Sequence, residues 1–173
     1  MADLKTLEKA VKDEEAKLAT LEKASKDAQA KSAQFGKDLA AMRDASTAAN
    51  GVALKKNVAF QAAVEKMKPV DEDRKKAETA LKNAPEKDKA ARQKTYNAVL
   101  AFFNERKKEF DKANQERIAA ENDAKAKAKA IKDAEATKGQ AVKAEWDKAI
   151  KAVSDQKAVV DKAKKAVDAA KKK

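Results

Sequence analysis

The sequence predicts an all-α protein, either an elongated antiparallel coiled coil or a kinked three-helix bundle. Three observations predict it. Gly appears three times and Pro twice in 173 residues, too few for a loop-rich or all-β chain. Ala and Lys dominate a composition that is 40% charged, the mix found in long helices and coiled coils. Apolar side chains also return every three or four positions along most of the chain. Much of the 43% hydrophobic fraction is alanine, so a thin seam between two or three helices fits better than a thick core. Each buried methylene contributes only ~0.8 kcal/mol, which makes the stability per residue modest.

The first helix is expected over about residues 3–50. Leu4, Leu7, Val11, Leu18, Leu21, Ala28, Phe35, Leu39 and Met42 share one three-four frame, with Glu14, Ser25 and Ser32 also in the seam. Asp3 is placed to cap its start. Glu8/Lys12, Asp13/Lys17, Glu22/Lys26 and Asp27/Lys31 are acid-before-base pairs four apart, each supporting an isolated helix by roughly 0.2–0.5 kcal/mol. Asn50-Gly51 reads as the helix end, with Gly supplying a left-handed residue.

A second helix is expected over about 53–84, kinked at Pro69 or broken there into two in line. Val52, Leu54, Val58, Phe60, Val64 and Met67 supply its apolar side, and Ala77, Ala80, Leu81 and Ala84 continue it. The acids Asp71, Glu72 and Asp73 after Pro69 repeat a helix-start pattern that recurs at Pro85-Glu86-Lys87-Asp88. A chain reversal at Pro85 would give two arms of similar length.

The third segment, about 86–138, carries Tyr96, Val99, Phe103, Phe110, Ala113 and Ala120 at three-four spacing. Between 121 and 137 Ile131 is the lone large apolar group, so the seam there is alanine or the helix is exposed. Gly139 reads as a C-cap or turn. The last helix, about 140–173, has Val142, Trp146, Ala149, Val153, Val160, Ala163, Val167 and Ala170 in its stripe, widened by Ile150 and Val159. Lys171, Lys172 and Lys173 place cations at its C-terminus. One module over 1–173 is the expected organisation.

The chain has no Cys and no His. That removes disulfides, thiolate nucleophiles, the usual zinc sets and the commonest general base. No Gly-rich phosphate loop, paired catalytic carboxylates or metal-ligand spacing is visible, so the expectation is a non-enzyme with no catalytic, cofactor or metal residues. The partner-binding residues are left unassigned. The start, MADLKTLEKAVKDEE, lacks an apolar signal region, and no run is long enough to span a bilayer. The expected location is the cytoplasm, or release by lysis or a dedicated export route.

The net charge is +12, from 41 Lys and Arg against 29 Asp and Glu. Residues 1–50 carry nine of each sign, and the excess lies in the second half. Such a chain could bind nucleic acid or an anionic surface. Interleaved acids, scarce Arg, and Lys125, Lys127 and Lys129 spaced two apart point instead to a solvated helical face.

Four of the seven aromatics, Tyr96, Phe102, Phe103 and Phe110, fall close together. As packing, they form the thickest layer of a bundle, completed by Phe35, Phe60 or Trp146 from other helices. The run FNERKKEFDKAN, from Phe103 to Asn114, also resembles the coiled-coil receptor-binding regions of colicins and S-type pyocins. In those regions aromatic-Asn, Arg-Lys, Glu-apolar-Asp and Ala-Asn follow in the same order. The resemblance implies a helical module that presents a tip or face to an outer-membrane receptor or surface polysaccharide. The family's Gly-rich translocation region, His-based nuclease motif and long apolar pore-forming hairpin have no counterpart here. The chain would then be the central targeting piece or a stand-alone relative, with no receptor-contact residue carried over. Two other readings stand beside it: a Lys-rich architectural nucleic-acid-binding protein, and a helical scaffold or chaperone-like protein.

Overall fold

The computed structural model describes residues 3–172. Those residues form three α-helices and no strand: α1, Leu4–Lys82; α2, Lys89–Ala134; and α3, Gln140–Lys171. A 3-10 turn, Glu86–Asp88, precedes α2, and a π-helical turn, Glu135–Gly139, joins α2 to α3. The chain divides into two compact units, Met1–Met42 with Ala130–Lys173, and Arg43–Lys129. Each unit is a pair of antiparallel helices with no third helix, so the coiled-coil expectation is the one realised. Lys173, the last of the expected C-terminal cations, lies outside the described residues.

In the first unit the start of α1 runs against α3. The carbonyl of Asp3 accepts the N–H groups of Thr6 at 2.9 Å and Leu7 at 3.2 Å, which makes Asp3 the cap position. From Leu7 to Met42, every position of the three-four frame is at least partly withdrawn from water, Glu14, Ser25 and Ser32 included. The facing stripe on α3 runs from Val142 to Ala170 and is deepest at Val160 and Val167. Ile150 and Val159 do not widen it: they are 47% and 46% exposed. Ile150 stands one position past the seam residue Ala149, and Val159 one position before the buried seam residue Val160.

Polar contacts set the register of this unit. Glu8, Glu15 and Glu22 advance by seven along α1 and meet Lys171, Lys164 and Lys157, which retreat by seven along α3, at 3.3, 2.9 and 3.4 Å. Lys31 meets Glu145 further along at 2.6 Å. Residues expected to pair within one helix, Glu8, Glu22 and Lys31 among them, therefore bridge between helices. In the seam itself, Gln156 donates to the Glu14 carboxylate at 2.6 Å and to the Glu14 carbonyl at 3.2 Å. A polar pair inside an apolar seam favours one alignment over its neighbours.

The return arm carries one residue more than the frame needs. Seam positions on α2 and α3 step by three or four, except between Ala134 and Gly139, where the step is five. The π turn spans that interval and takes up the additional residue. Gly139 is thus neither a C-cap nor a turn. It is helical, and a Cβ there would lie 3.2 Å from Phe35 Cε1. The Phe35 ring packs on bare backbone.

In the second unit α2 returns along the later part of α1. The helix does not stop at Asn50-Gly51: α1 is continuous through both residues and through Pro69. The seam keeps its spacing here with Ser46, Ala49, Ala53, Lys56, Phe60, Ala63, Met67, Val70, Arg74, Ala77 and Leu81. The expected apolar side was partly misplaced, because Val52, Leu54 and Val58 point away from α2 into solvent. Ala49 and Ala124 are buried, so the stretch with few large residues is an alanine seam. The reversal occurs at Pro85 as expected, with Asn83 and Ala84 donating back to Thr79 and Leu81, and Asp88 donating to Pro85.

Two outcomes test this arrangement. Deleting Ala136 should convert the π turn to α-helix and leave the melting temperature equal or higher; a marked fall would mean that the additional residue relieves a mismatch elsewhere. Glu15→Lys should lower the melting temperature by facing Lys164 with a like charge, and Glu15→Lys with Lys164→Glu should recover it. Thermal melts of the single and double variants check the register.

Candidate functional site

The densest side-chain chemistry lies in the second unit, where aromatics and arginines interleave. Phe60 of α1 packs on Phe110 of α2, with ring centroids 5.2 Å apart and planes tilted by 47°. Of the three aromatics expected to complete the cluster, Phe60 does so. Phe35 and Trp146 belong to the other unit.

Three guanidinium groups lie over aromatic faces. Arg74 stands 5.0 Å from the Phe103 ring, Arg117 5.0 Å from Phe60, and Arg106 5.1 Å from Phe102. All three arginines occupy seam positions. A seam two helices thick lets an arginine stem cover apolar surface while its head reaches the rim. Phe102 itself is 47% exposed.

Hydrogen bonds hold the arginine heads in place. Arg74 donates twice to Asp71 Oδ1, at 3.0 and 2.9 Å, and once to Glu78 at 3.2 Å. Arg117 donates to Glu121 at 2.7 Å and to Asn114 at 3.0 Å, while its buried Nε has no partner. Arg106 donates to Glu109 at 2.8 Å. Lys75 and then Arg74 hold the Asp71 carboxyl below its ordinary range. Lys82, with Arg74 adding to it, does the same for Glu78, and Lys56, bonded at 2.7 Å, for Glu116. Of the acids after Pro69, Asp71 and Asp73 therefore serve forward ion pairs inside a helix rather than a helix start.

The run from Phe103 to Asn114 lies wholly within α2. Phe103, Arg106, Phe110 and Ala113 occupy the seam, while Asn104, Glu105, Lys107 and Lys108 face solvent. Lys107 bonds Asp111 at 2.6 Å. Its spacing is thus explained by helix pairing and by local charge support.

A hollow beside Phe110, lined by Ala59, Ala63, Met67 and Arg106 among others, has a volume of about 180 Å³. That is below the ~300–1,000 Å³ of typical small-molecule pockets; two larger hollows in the first unit, beside Val11 and Val167 and beside Ser25 and Val153, measure about 310 and 340 Å³ and lie open to solvent. Among the described residues no cluster of three or more acidic side chains is placed to hold a metal ion. No helix among them is long and apolar enough to cross a membrane. No family model, curated protein or solved structure matches the chain.

Phe110→Ala should destabilise the fold by roughly 2–3 kcal/mol in denaturant titrations, less than the ~3–5 of a fully buried ring, because the seam leaves it part-exposed. An unchanged midpoint would place the ring outside the stabilising layer. Acid should also weaken the fold. Asp71, Glu78 and Glu116 have lower values folded than their ordinary 3.8, 4.5 and 4.5. Their contribution is complete above those ordinary values and is lost as pH falls through the folded ones. Melting temperatures should hold near neutral pH and drop below about pH 4.5; equal values at neutral pH and at about pH 3 would contradict the assignment.

Proposed function

We propose that the chain is a non-enzymatic helical binding module, and in its most specific form the receptor- or surface-targeting part of a bacteriocin. The observation that carries the non-enzymatic half is how the seam treats its polar groups. The carboxyls with displaced ionisation, Glu14, Asp71, Glu78 and Glu116, are each held by a lysine within a helix pair. Each unit is two helices thick, so a partner is met on outer surfaces. The targeting half rests on the resemblance of the run from Phe103 to Asn114. Its solvent-facing members, Asn104, Glu105 and Lys108, are the ones a partner would meet.

Affinity capture from outer-membrane extracts of Gram-negative cells tests the reading. The expected result is retention of one receptor or surface polysaccharide by the full chain, lost on substitution of outward-facing residues and kept on substitution of Phe103. Capture of nothing across related strains would overturn the targeting half. Retardation of random DNA, falling steeply with added salt, would favour lysine–phosphate contacts and the nucleic-acid reading instead.

A further inference from the structure

Three of the large apolar side chains that α1 leaves in water stand close together: Val52, Leu54 and Val58 are 50%, 66% and 63% exposed. Leu54 and Val58, four apart, share the helix face opposite the seam. Gly51 lies on the same face, and nothing stands within 4 Å of where its Cβ would be. A glycine in a helix interior weakens the helix relative to alanine. Nothing inside the folded chain requires one at this place. Further along the face stand Asp44 on one side and Lys68 on the other, both exposed.

We propose that this face binds a second copy of the chain, with the two α1 helices crossing antiparallel and Leu54 of one copy against Val58 of the other. The pattern is complementary to its own reversal. Turned about the midpoint between Leu54 and Val58, each leucine meets a valine, and Asp44 meets Lys68 twice. A parallel crossing would instead set Asp44 on Asp44 and Lys68 on Lys68, so charge selects the antiparallel form. The Lys68 ammonium is already held on this face by Glu65 at 2.6 Å. Gly51 then has a use, since its missing side chain lets a second backbone come close. One short helix face buries less than the about 1,200–2,000 Å² of a stable complex, and each copy carries +12. The dimer is therefore weak and concentration-dependent. This surface is independent of the targeting reading above.

Sedimentation of the full chain over a wide concentration range tests the proposal. At about 0.15 M salt the Debye length is ~8 Å, which damps long-range repulsion yet leaves contact ion pairs in force. A dimer should grow with concentration. Leu54→Lys and Val58→Lys should each weaken it about tenfold or more by burying an unpaired charge, with helicity by circular dichroism unchanged because neither side chain enters the seam. Asp44→Lys should weaken the dimer, and Asp44→Lys with Lys68→Asp should restore it. Gly51→Ala should raise the melting temperature of the dilute monomer while weakening the dimer. Gly36→Ala, where a Cβ also meets nothing within 4 Å, should raise it and leave the dimer alone. The chain has no cysteine, so Leu54→Cys and Val58→Cys chains mixed under oxidation should cross-link to each other. A monomer at every concentration, or a dimer indifferent to Leu54→Lys, would overturn the proposal. So would a monomer in which Leu54→Lys abolishes capture of a foreign partner, since the face would then belong to that partner.

Discussion

Seam spacing governs this structure: side chains must return to the partner helix every three or four residues on both arms at once. Along α1 that spacing holds from Leu7 to Leu81 without a slip. Where the spacing holds, the helix continues, whatever the local residues prefer. Gly51 costs about 1 kcal/mol against alanine, and Pro69 costs ~3 kcal/mol through its missing N–H and ring contact. Ending the helix at either point would put every later seam residue out of step with α2. The loss would fall on Phe60, Met67, Val70 and Leu81 together, and burial of one such side chain is worth ~1.5–3 kcal/mol when complete. Pairing thus outweighs punctuation. The return arm shows the same rule from the other side: when one residue too many separates Ala134 from Gly139, the helix changes its hydrogen-bond period and keeps its seam.

A seam of two helices also explains the polar groups within it. Lys56, Arg74, Arg106 and Arg117 would be costly in the centre of a globular core. Here a charged head needs only to pass the neighbouring ring to reach the rim, where a carboxylate waits. Arg74 shows the full set: its stem in the seam, its guanidinium over Phe103, its donors on Asp71 and Glu78. Glu14 and Gln156 do the corresponding work in the first unit without an aromatic. Because few large apolar groups mark the layers, these polar contacts carry much of the information about which layer faces which. The Glu8, Glu15 and Glu22 ladder adds to it on one flank.

The legible parts of the sequence were those where large side chains mark the frame. Leu7 to Met42 and Val142 to Ala170 could be assigned to the seam, and so could Tyr96, Val99, Phe103 and Phe110. The illegible part was the middle of α1. There, from Ser46 to Lys56, the seam is a serine, two alanines and a lysine, while Val52, Leu54 and Val58 lie outside it. Hydrophobicity pointed to the wrong face, and Asn-Gly and Pro supplied a ready reason to end the helix. The frame of the first helix, extended past Met42, leads directly to Ala49, Ala53 and Phe60. The π turn was hidden for a related reason: with Ile131 as the one large residue between 121 and 137, a slip of one position leaves no trace in the pattern. The arginine stacking was not legible either, since a cation at a seam position looks like a flaw until the facing ring is known.

The same economy bears on what the surface can do. In this fold an exposed apolar side chain is not spare core, because the seam is complete without it. Ile150 and Val159 interrupt flanks that are otherwise ionic or small, and each, beside the seam residues Ala149 and Val160, is just under half exposed. Leu54, which follows the seam residue Ala53, and Val58 are more exposed, at 66% and 63%, and share the outward face with a glycine that weakens the helix. Seam packing gives no reason for either feature, and ion pairing gives none. What remains is contact with something outside the pair of helices, and the opposite charges of Asp44 and Lys68 at the two ends of that face give the contact a direction.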